Sequence, residues 1–269
     1  MIDLNDDEIE ERQNLSRAVN STCLPLFIGQ EFVLDGRPPS NPSATATLVQ
    51  YQKRLYVVTC DHVWVEAYAK PGITASLAVD SVVIELKSYT PTGEKVPALR
   101  RVQIEGASGD VAIGEVPPYF LGFLSKGKTK APIDLDQHTE PDWATIKYCM
   151  AAGFPDRMKK TSADGTTLQS PMVEVVAELQ APPRADDDLF AIHSELPTPV
   201  IHGLSGISGG PIFALTQENK ALPVGIVFEG HPSGEEQGNA QAFLTQNDIL
   251  IRGLRLTPEI FSRWLAART

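Results

Sequence analysis

Many short runs of β-type residues, separated by Gly, Pro, Asn and Ser, limit the folds open to this chain more than any other feature of its sequence. Turn residues at such close intervals are typical of all-β sandwiches and barrels. The runs fall into two groups of about six, divided by a polar connection at 126–142. The first group comprises Leu26–Val33, Thr45–Gln50, Arg54–Thr59, Ser81–Leu86, Pro97–Ile104 and Asp110–Val116. The second comprises Thr145–Ala152, Met172–Glu178, Leu189–His193, Pro211–Leu215, Leu222–Phe228 and Gln241–Leu244. The sequence therefore predicts two all-β units, each a barrel or a sandwich.

Both ends of the chain have helical patterns instead. Asn5–Val19 has apolar residues at roughly helical spacing and three acidic residues near its start, where the helix dipole favours negative charge. Near the other end, Thr257 is a good N-cap, Pro258 suits the first helical position, and Ile260 begins an apolar stripe. We expect three parts, listed here: a helical extension at 1–22, a first β unit at 23–130, and a second β unit with the C-terminal helix at 131–269.

The charge and the cysteines exclude several classes of protein. The 269 residues include 23 Lys and Arg against 34 Asp and Glu, a formal net charge of -11, which argues against a phosphate-binding surface and hence against a nucleic-acid partner. No apolar run approaches the roughly 20 residues that cross a bilayer, so we expect no membrane partner. The acidic start does not resemble an export signal, and the three cysteines lack metal-ligand spacing. We therefore expect a cytoplasmic protein without metal or cofactor.

The segment Gly206-Ile207-Ser208-Gly209-Gly210-Pro211 carries the strongest chemical signal. Glycines around a serine let the backbone turn sharply and bring two N–H groups close to a substrate carbonyl, as an oxyanion hole requires. The alternative is an ordinary Gly-rich turn with an exposed serine. Two upstream residues in suitable places favour the chemical interpretation.

The first of these is His62, which directly follows the strand-like run Arg54–Thr59. A histidine at a strand end can be held by the sheet while its ring faces solvent, as a general base near neutral pH must be. The second is Asp110, at the start of another strand-like run. Taken singly, the histidine would be structural and the aspartate a turn residue or cap.

Together these segments resemble the signatures of the trypsin-like (chymotrypsin-fold) serine peptidases: Thr-x-x-His at Thr59–His62, Asp-Val-Ala-Ile at Asp110–Ile113, and Gly-x-Ser-Gly-Gly-Pro at Gly206–Pro211, in that family's order. Gly153-Phe154-Pro155 is similar to the opening of the second barrel in bacterial members. Gly225–Gly230 resembles the strand along which substrate pairs. The resemblance covers Leu26 to Thr269 and implies a fold of two six-stranded antiparallel β-barrels.

The resemblance also implies roles for single residues. Ser208 would be the nucleophile, His62 the general base and then acid, and Asp110 the group that holds the imidazole. Backbone N–H groups of Gly206 and Ser208 would form the oxyanion hole. The reaction would be acyl transfer to Ser208 and hydrolysis, so the protein would be a serine endopeptidase acting on protein or peptide substrates.

The sequence departs from the family beside two of its motifs. Val63 stands where secreted members carry a disulfide cysteine, and Ile207 replaces the aspartate that pairs with a new amino terminus after zymogen cleavage. We therefore expect either constitutive activity or control by a partner protein, a ligand or a loop rearrangement. A catalytically silent or latent module that holds a peptide in the same cleft is the alternative function.

Primary specificity is encoded less clearly. His202, six residues before Ser208, is expected at the base of the substrate pocket. The expected walls and neighbours of the pocket are Gly203, Phe228, Glu229 and Gly230. Glutamates at 229, 235 and 236 suggest a preference for basic side chains, although such a run in a polar loop is more often just a solvated face.

Three other features have simpler interpretations than function. The tryptophans 64, 143 and 264 lie in apolar contexts and are expected to pack in the core or at an interface. The run Asp186–Asp188 lacks the ligand set of a calcium site, so a solvated loop is expected. Cys60, two residues before His62, is expected to be a buried, inert thiol, and the alternative is a redox-sensitive one.

Overall fold

The structure is a computed structural model of the whole chain. It describes residues 6–30, 43–63, 73–79, 82–89, 95–97, 99–102, 110–116, 120, 122, 124, 129–155, 158, 160–161, 168–184, 186–195, 204–232 and 248–268. Within these ranges, none of the helices has the length and apolar character needed to cross a membrane.

Seventeen strands and two α-helices have fully described bounds, and residues 61–63, 120, 122 and 124 are helical as well. The helices are α1 (Asp6–Thr22) and α2 (Pro258–Ala266), with 3-10 turns at Leu135–Gln137 and Trp143–Thr145. The strands of the first half are β1 (Cys23–Gln30), β2 (Ser43–Tyr51), β3 (Arg54–Thr59), β4 (Ile73–Val79), β5 (Val82–Tyr89), β6 (Lys95–Pro97), β7 (Leu99–Val102), β8 (Val111–Val116) and β9 (Ile133–Asp134). Those of the second half are β10 (Ile146–Gly153), β11 (Lys160–Thr161), β12 (Leu168–Gln169), β13 (Val173–Leu179), β14 (Leu189–Glu195), β15 (Pro211–Thr216), β16 (Ala221–Pro232) and β17 (Asp248–Arg255).

The second half forms a closed antiparallel barrel in the order β10-β13-β14-β17-β16-β15. Side chains along its strands alternate between the interior and the exterior of the barrel. In β14, Phe190 and Ile192 are buried, while Ala191 between them is partly exposed. Ile192 pairs with Ile251 of β17, and both belong to the core cluster inside the barrel. Closure leaves this unit without a free strand edge.

The first half forms one sheet of nine strands, a half-barrel with the path β6-β5-β4-β1-β2-β3-β8-β7. Its pairs are antiparallel except for β9, which lies parallel to β2. Its own core contains the aliphatic side chains of β1, β2 and β3, among them Leu26, Leu48 and Val57.

A third core cluster joins the two units and both helices. It contains Leu15 of α1, Tyr56 of β3, Phe213 of β15 and the α2 residues Phe261 and Trp264. The ring of Phe261 meets those of Tyr51 and Tyr56 edge-on, with centroids 5.4 Å apart in each pair. The helices therefore seal the junction between the β units.

Helix α1 is held on the second unit by polar contacts as well. The Ser16 hydroxyl donates to Glu174 at 2.6 Å, and Lys147 Nζ contacts Glu11 at 2.7 Å. At its C-terminal end, Lys130 Nζ donates to the carbonyl oxygens of Asn20 and Cys23. This lysine satisfies carbonyls that the helix leaves without intrahelical donors.

The structure confirms the all-β class, the double-barrel arrangement and the two terminal helices. Thr257 caps α2 by accepting from the Ile260 N–H at 3.2 Å, and Pro258 is the first helical residue, as the sequence predicts. The sequence pattern does not predict five strands, the longer β4 and β17 and the two-residue β9, β11 and β12. The expected run Gln241–Leu244 lies outside the described residues. Helix α1 extends to Thr22, three residues beyond its expected end.

Candidate active site

The loop that carries Ser208 turns on two glycines in the left-handed region. Gly206 has φ +102° and Gly209 has φ +88°, values that L side chains rarely adopt. The Ile207 N–H donates to Leu204 O at 3.1 Å, and the Gly210 N–H donates to Ile207 O at 2.9 Å. Ser208 therefore sits in a compact double turn, 9% exposed.

A strand of its own barrel fixes this loop from one side. The Gly209 N–H donates to Val227 O at 2.7 Å, and the Val227 N–H donates to Gly210 O at 2.7 Å. A Cβ on Gly210 would come within 1.9 Å of Ala152 O, so the loop also lies directly against β10. Only glycine fits there without a shift of the backbone.

Threonines of the first unit hold the loop from the other side. Thr45 Oγ1 donates to Gly206 O and Thr47 Oγ1 donates to Gly209 O, both at 2.7 Å. Thr59 Oγ1 in turn donates to Thr45 O at 2.8 Å. These hydroxyls connect β2 and β3 to the Ser208 loop, so the position of the serine depends on both units.

His62 and Asp110 lie in direct contact at the same end of the first unit. Asp110 Oδ1 accepts from the His62 backbone N–H at 2.5 Å, and Asp110 Oδ2 contacts Nδ1 of the imidazole. His62 follows β3 and Asp110 precedes β8, and these neighbouring strands are paired from Leu55–Val116 to Thr59–Ala112. The carboxylate therefore fixes both the backbone and the ring of His62.

This contact changes the acidity of the imidazole. The hydrogen bond to Asp110 raises the pKa of His62 above its usual 6.5, partial burial opposes the rise, and the charges of Asp110, Glu229 and Asp61 add to it. The His62 side chain is 53% exposed and that of Asp110 is 21% exposed. An imidazole that is half exposed and paired with a mostly buried carboxylate can exchange protons with a bound molecule.

Cys60 lies between the histidine and the serine loop. Its thiol donates to Val227 O at 3.2 Å, and its sulfur, a ring nitrogen of His62 and a carboxylate oxygen of Asp110 lie within 4.8 Å of one another. A Cβ on Gly209 would lie 2.8 Å from Cα of Thr59, the residue before Cys60. Gly209 of the Ser208 loop and the His62 ring therefore both lie beside the chain at Thr59 and Cys60. Within the described residues, the Ser208 hydroxyl and the His62 ring form no hydrogen bond with each other.

An ion pair supports the backbone next to His62. Arg101 Nε and Nη2 donate to Oδ2 of Asp61, at 2.7 and 2.5 Å, and the Asp61 carboxyl is almost fully buried. Burial of such a carboxylate is favourable only when it is paired. Sequence reasoning does not find this pair, because its members lie 40 residues apart.

The structure describes three of the five residues expected to bind substrate. Phe228, Glu229 and Gly230 continue β16 beyond Val227, and all three are partly exposed. Glu229 Oε2 contacts Arg252 Nη1 at 3.4 Å. His202 and Gly203 lie outside the described residues, so the base of the expected pocket does too.

The remaining expectations concern residues away from this site. Trp264 is buried in the junction core, and Trp143 packs against Phe190 with centroids 5.4 Å apart, while Trp64 lies outside the described residues. Asp187 and Asp188 accept hydrogen bonds from Arg184 and Arg263, as in a solvated structural loop.

All three cysteines are buried. Burial raises the pKa of Cys60 well above its usual value, and it raises the pKa values of Cys23 and Cys149 to about 12. The Asp110 carboxylate contributes to the rise at Cys60. Such thiols react slowly with oxidants, because the thiolate is the reactive form. The expectation of a buried thiol at Cys60 is confirmed.

Comparison with known proteins gives likeness in structure alone. No protein-family model matches the chain, and no curated protein matches it. A thermostable serine protease, AL20, from an extremophilic microorganism aligns over 92% of this chain and 97% of its own, with a TM-score of 0.47 and 12% identity. The protease Anisep from Arthrobacter nicotinovorans aligns over 92% of this chain and 95% of its own, with a TM-score of 0.46 and 14% identity.

The class of fold follows from the molecule itself. A closed six-stranded antiparallel barrel lies beside a second, mainly antiparallel sheet, a C-terminal helix packs across their junction, and the Cys60 thiol of the first unit donates to Val227 O of the second. This is the double-barrel fold of the trypsin-like serine peptidases.

Proposed function

We propose that the chain is a serine endopeptidase, with Ser208 as nucleophile, His62 as general base and acid, and Asp110 as the residue that orients the imidazole. The contact of Asp110 with both the backbone and the ring of His62, beside the glycine-rich Ser208 loop, carries this proposal. An aspartate that served only as a turn residue would not need to contact both the backbone and the ring of His62.

The proposed reaction begins with proton transfer to the imidazole. Nδ1 of His62 donates to Asp110, which leaves Nε2 without its proton and able to accept the proton of the Ser208 hydroxyl. As Oγ bonds to the substrate carbonyl carbon, His62 becomes a cation, and the Asp110 carboxylate stabilises it. His62 then gives the proton to the leaving amine as the C–N bond breaks, and water releases the acyl group by the reverse steps.

The carbonyl oxygen carries negative charge during these steps, and we assign its stabilisation to the N–H groups of Gly206 and Ser208. The other N–H groups of the loop already have acceptors. Ile207 donates to Leu204 O, Gly209 to Val227 O, and Gly210 to Ile207 O. Within the described chain, no acceptor engages the N–H of Gly206 or Ser208. Loss of one such donor typically reduces transition-state stabilisation by about 3 kcal/mol.

Packing around Ile207 supports a site that forms without zymogen cleavage. The Ile207 side chain is 2% exposed, and a Cβ on Gly230 would lie 3.0 Å from its Cδ1. Apolar contact therefore holds the loop where other family members use an ion pair with a new amino terminus. A cytoplasmic location and a regulatory partner protein remain predictions.

Glu229 supports a preference for basic side chains close to the scissile bond. It lies two residues after Val227, whose carbonyl oxygen accepts from the Gly209 N–H and the Cys60 thiol, so β16 brings it close to the Ser208 loop. Its charge, which is paired with Arg252 at 3.4 Å, also helps to raise the pKa of His62. Profiling a peptide library with the wild-type protein and with Glu229→Gln tests this preference. Equal use of basic and uncharged residues by the wild-type protein would rule it out.

The central test is covalent labelling with a fluorophosphonate, which reacts with activated serines. We expect label on Ser208, no label and no turnover for Ser208→Ala, and ordinary labelling for Ser205→Ala, a matched control on the exposed serine of the same loop. Peptide binding without labelling of the wild-type protein would reject the enzyme in favour of the silent or latent binding module.

A further inference from the structure

We propose that Cys60, His62 and Asp110 form an inhibitory binding site for Zn²⁺ at the centre of the active site. Their ligand atoms already lie within 4.8 Å of one another. They are a thiol, an imidazole and a carboxylate, the three side-chain types that bind zinc in proteins. The binding part of this proposal is independent of the proposed function, whereas the inhibitory part rests on it.

The charges of the three ligands suit a dication. Cys60 binds as a thiolate and Asp110 as a carboxylate, so together with a neutral imidazole they balance the charge of Zn²⁺. In the metal-free protein the Cys60 thiol carries a proton, which it donates to Val227 O at 3.2 Å. Zinc displaces that proton to solvent as the metal–sulfur bond forms, and no electron is transferred.

Small movements bring the ligands to bonding distance. Zinc bonds sulfur at about 2.3 Å and nitrogen or oxygen at about 2.0–2.2 Å, so tetrahedral ligand atoms lie roughly 3.5 Å apart. The three ligand atoms now lie up to 4.8 Å apart, so they would have to move by about 1 Å to reach this separation. The half-exposed His62 ring can turn, while Cys60 gives up its hydrogen bond to Val227 O. Water completes the fourth position, on the exposed side.

Inhibition follows from the same groups. A metal on the imidazole and the carboxylate separates His62 from Asp110 and occupies the nitrogen that the triad needs. The protein would then lose general-base catalysis while zinc is bound and recover it when a chelator removes the metal. The buried ligand is the sulfur of Cys60, so zinc should inhibit far better than Mg²⁺ or Ca²⁺, which prefer oxygen ligands.

The binding experiment uses the full-length Ser208→Ala protein and Zn²⁺ in competition with a chromophoric chelator. We expect one site whose affinity falls at least about tenfold with Cys60→Ser added and is unchanged with Cys149→Ser added, a matched control at another fully buried cysteine. Equal affinity with and without the Cys60 thiol would overturn the proposal.

A second measurement needs no change at Cys60. Co²⁺ in place of Zn²⁺ should give the thiolate-to-cobalt charge-transfer absorption in Ser208→Ala, and Cys149→Ser should leave that band intact. Absence of the band would also overturn the proposal.

The activity experiment compares zinc inhibition curves, each relative to the variant's own rate in chelator. We expect the curve for Cys60→Ser to move to at least about tenfold higher Zn²⁺ than the curve for wild type. A protein that binds zinc through Cys60 but shows no turnover or fluorophosphonate labelling in chelator would reject the proposed function and keep the metal site.

Discussion

Replacement of Gly209 by alanine tests how the two β units position the nucleophile. A Cβ at this glycine would lie 2.3 Å from Thr45 O, 2.5 Å from Thr59 Oγ1 and 2.8 Å from Thr59 Cα. The first contact is about 0.7 Å inside the closest approach that real Cβ atoms show, and its partner is backbone, so the Ser208 loop must move away from β2 and β3.

The expected loss of stability has two sources. The φ of +88° is unfavourable for alanine by about 1–2 kcal/mol. Movement of the loop also weakens the hydrogen bonds that Gly209 makes with Val227 and Thr47, for which about 1 kcal/mol each is typical. We therefore expect the free energy of unfolding in urea to fall by about 3–4 kcal/mol.

Labelling of Ser208 should fall as well, because a misplacement of about 1 Å at a reacting atom can reduce a rate roughly 100-fold. Gly122→Ala is the control, since Gly122 is exposed and helical and a Cβ there would have no atom within 4 Å. Its stability should stay the same or rise by up to about 1 kcal/mol. If Gly209→Ala unfolds at the same urea concentration as Gly122→Ala and labels at the wild-type rate, the loop does not depend on this contact.

Three further predictions concern the histidine, its support and the junction core. Only neutral imidazole can act as a base, and Asp110 raises the pKa of His62 above 6.5. As the pH is lowered, kcat/KM measured in chelator should therefore decrease with an apparent pKa higher than 6.5. Asp110→Asn should lower that apparent pKa and reduce the rate by about 10⁴-fold. Arg101→Met should reduce stability by about 1–3 kcal/mol and slow labelling of Ser208, because it leaves the buried Asp61 carboxylate without this partner. Phe261→Ala should reduce stability by about 3–5 kcal/mol in denaturant unfolding, because it empties a fully buried position in the junction core.

Each of these predictions has an outcome that contradicts it. An acid limb unchanged by Asp110→Asn would mean that His62 is not the titrating group. Arg54→Met is the control for Arg101→Met, since Arg54 and Glu115 form an exposed pair at 3.5 Å whose loss should be nearly neutral. Equal effects of the two arginine substitutions would count against the role of the Asp61 pair. A loss below about 1 kcal/mol at Phe261 would contradict tight packing at the junction.

The local motifs were predictable because glycine geometry and strand ends leave marks in short stretches of sequence. The Gly-x-Ser-Gly-Gly turn and the capping of α2 by Thr257 are of this kind. The threonine contacts to the Ser208 loop were not predictable. Thr45 and Thr47 are ordinary strand residues, and each hydroxyl reaches a carbonyl more than 160 residues away.

The missed strands have a related cause. β17 reads Asp-Ile-Leu-Ile-Arg-Gly-Leu-Arg, with little alternation and a glycine in its interior, because it is buried along nearly its whole length between β14 and β16. The glycine is explained only by the folded barrel: a Cβ on Gly253 would lie 2.5 Å from the Phe190 ring. Neither feature indicates a strand until its neighbours are known.

The packing of helix α1 against later strands also has a consequence for synthesis on the ribosome. Leu15 and Val19 are fully buried, yet the cluster that covers them includes Met150, Phe213 and Leu215. Leu215 follows Leu15 by about 200 residues, which at roughly 5–20 residues per second is about 10–40 s of translation. During that interval the apolar face of α1 lacks the strands that later bury it. The helix that seals the junction of the finished protein is thus made long before the strands that cover its apolar face.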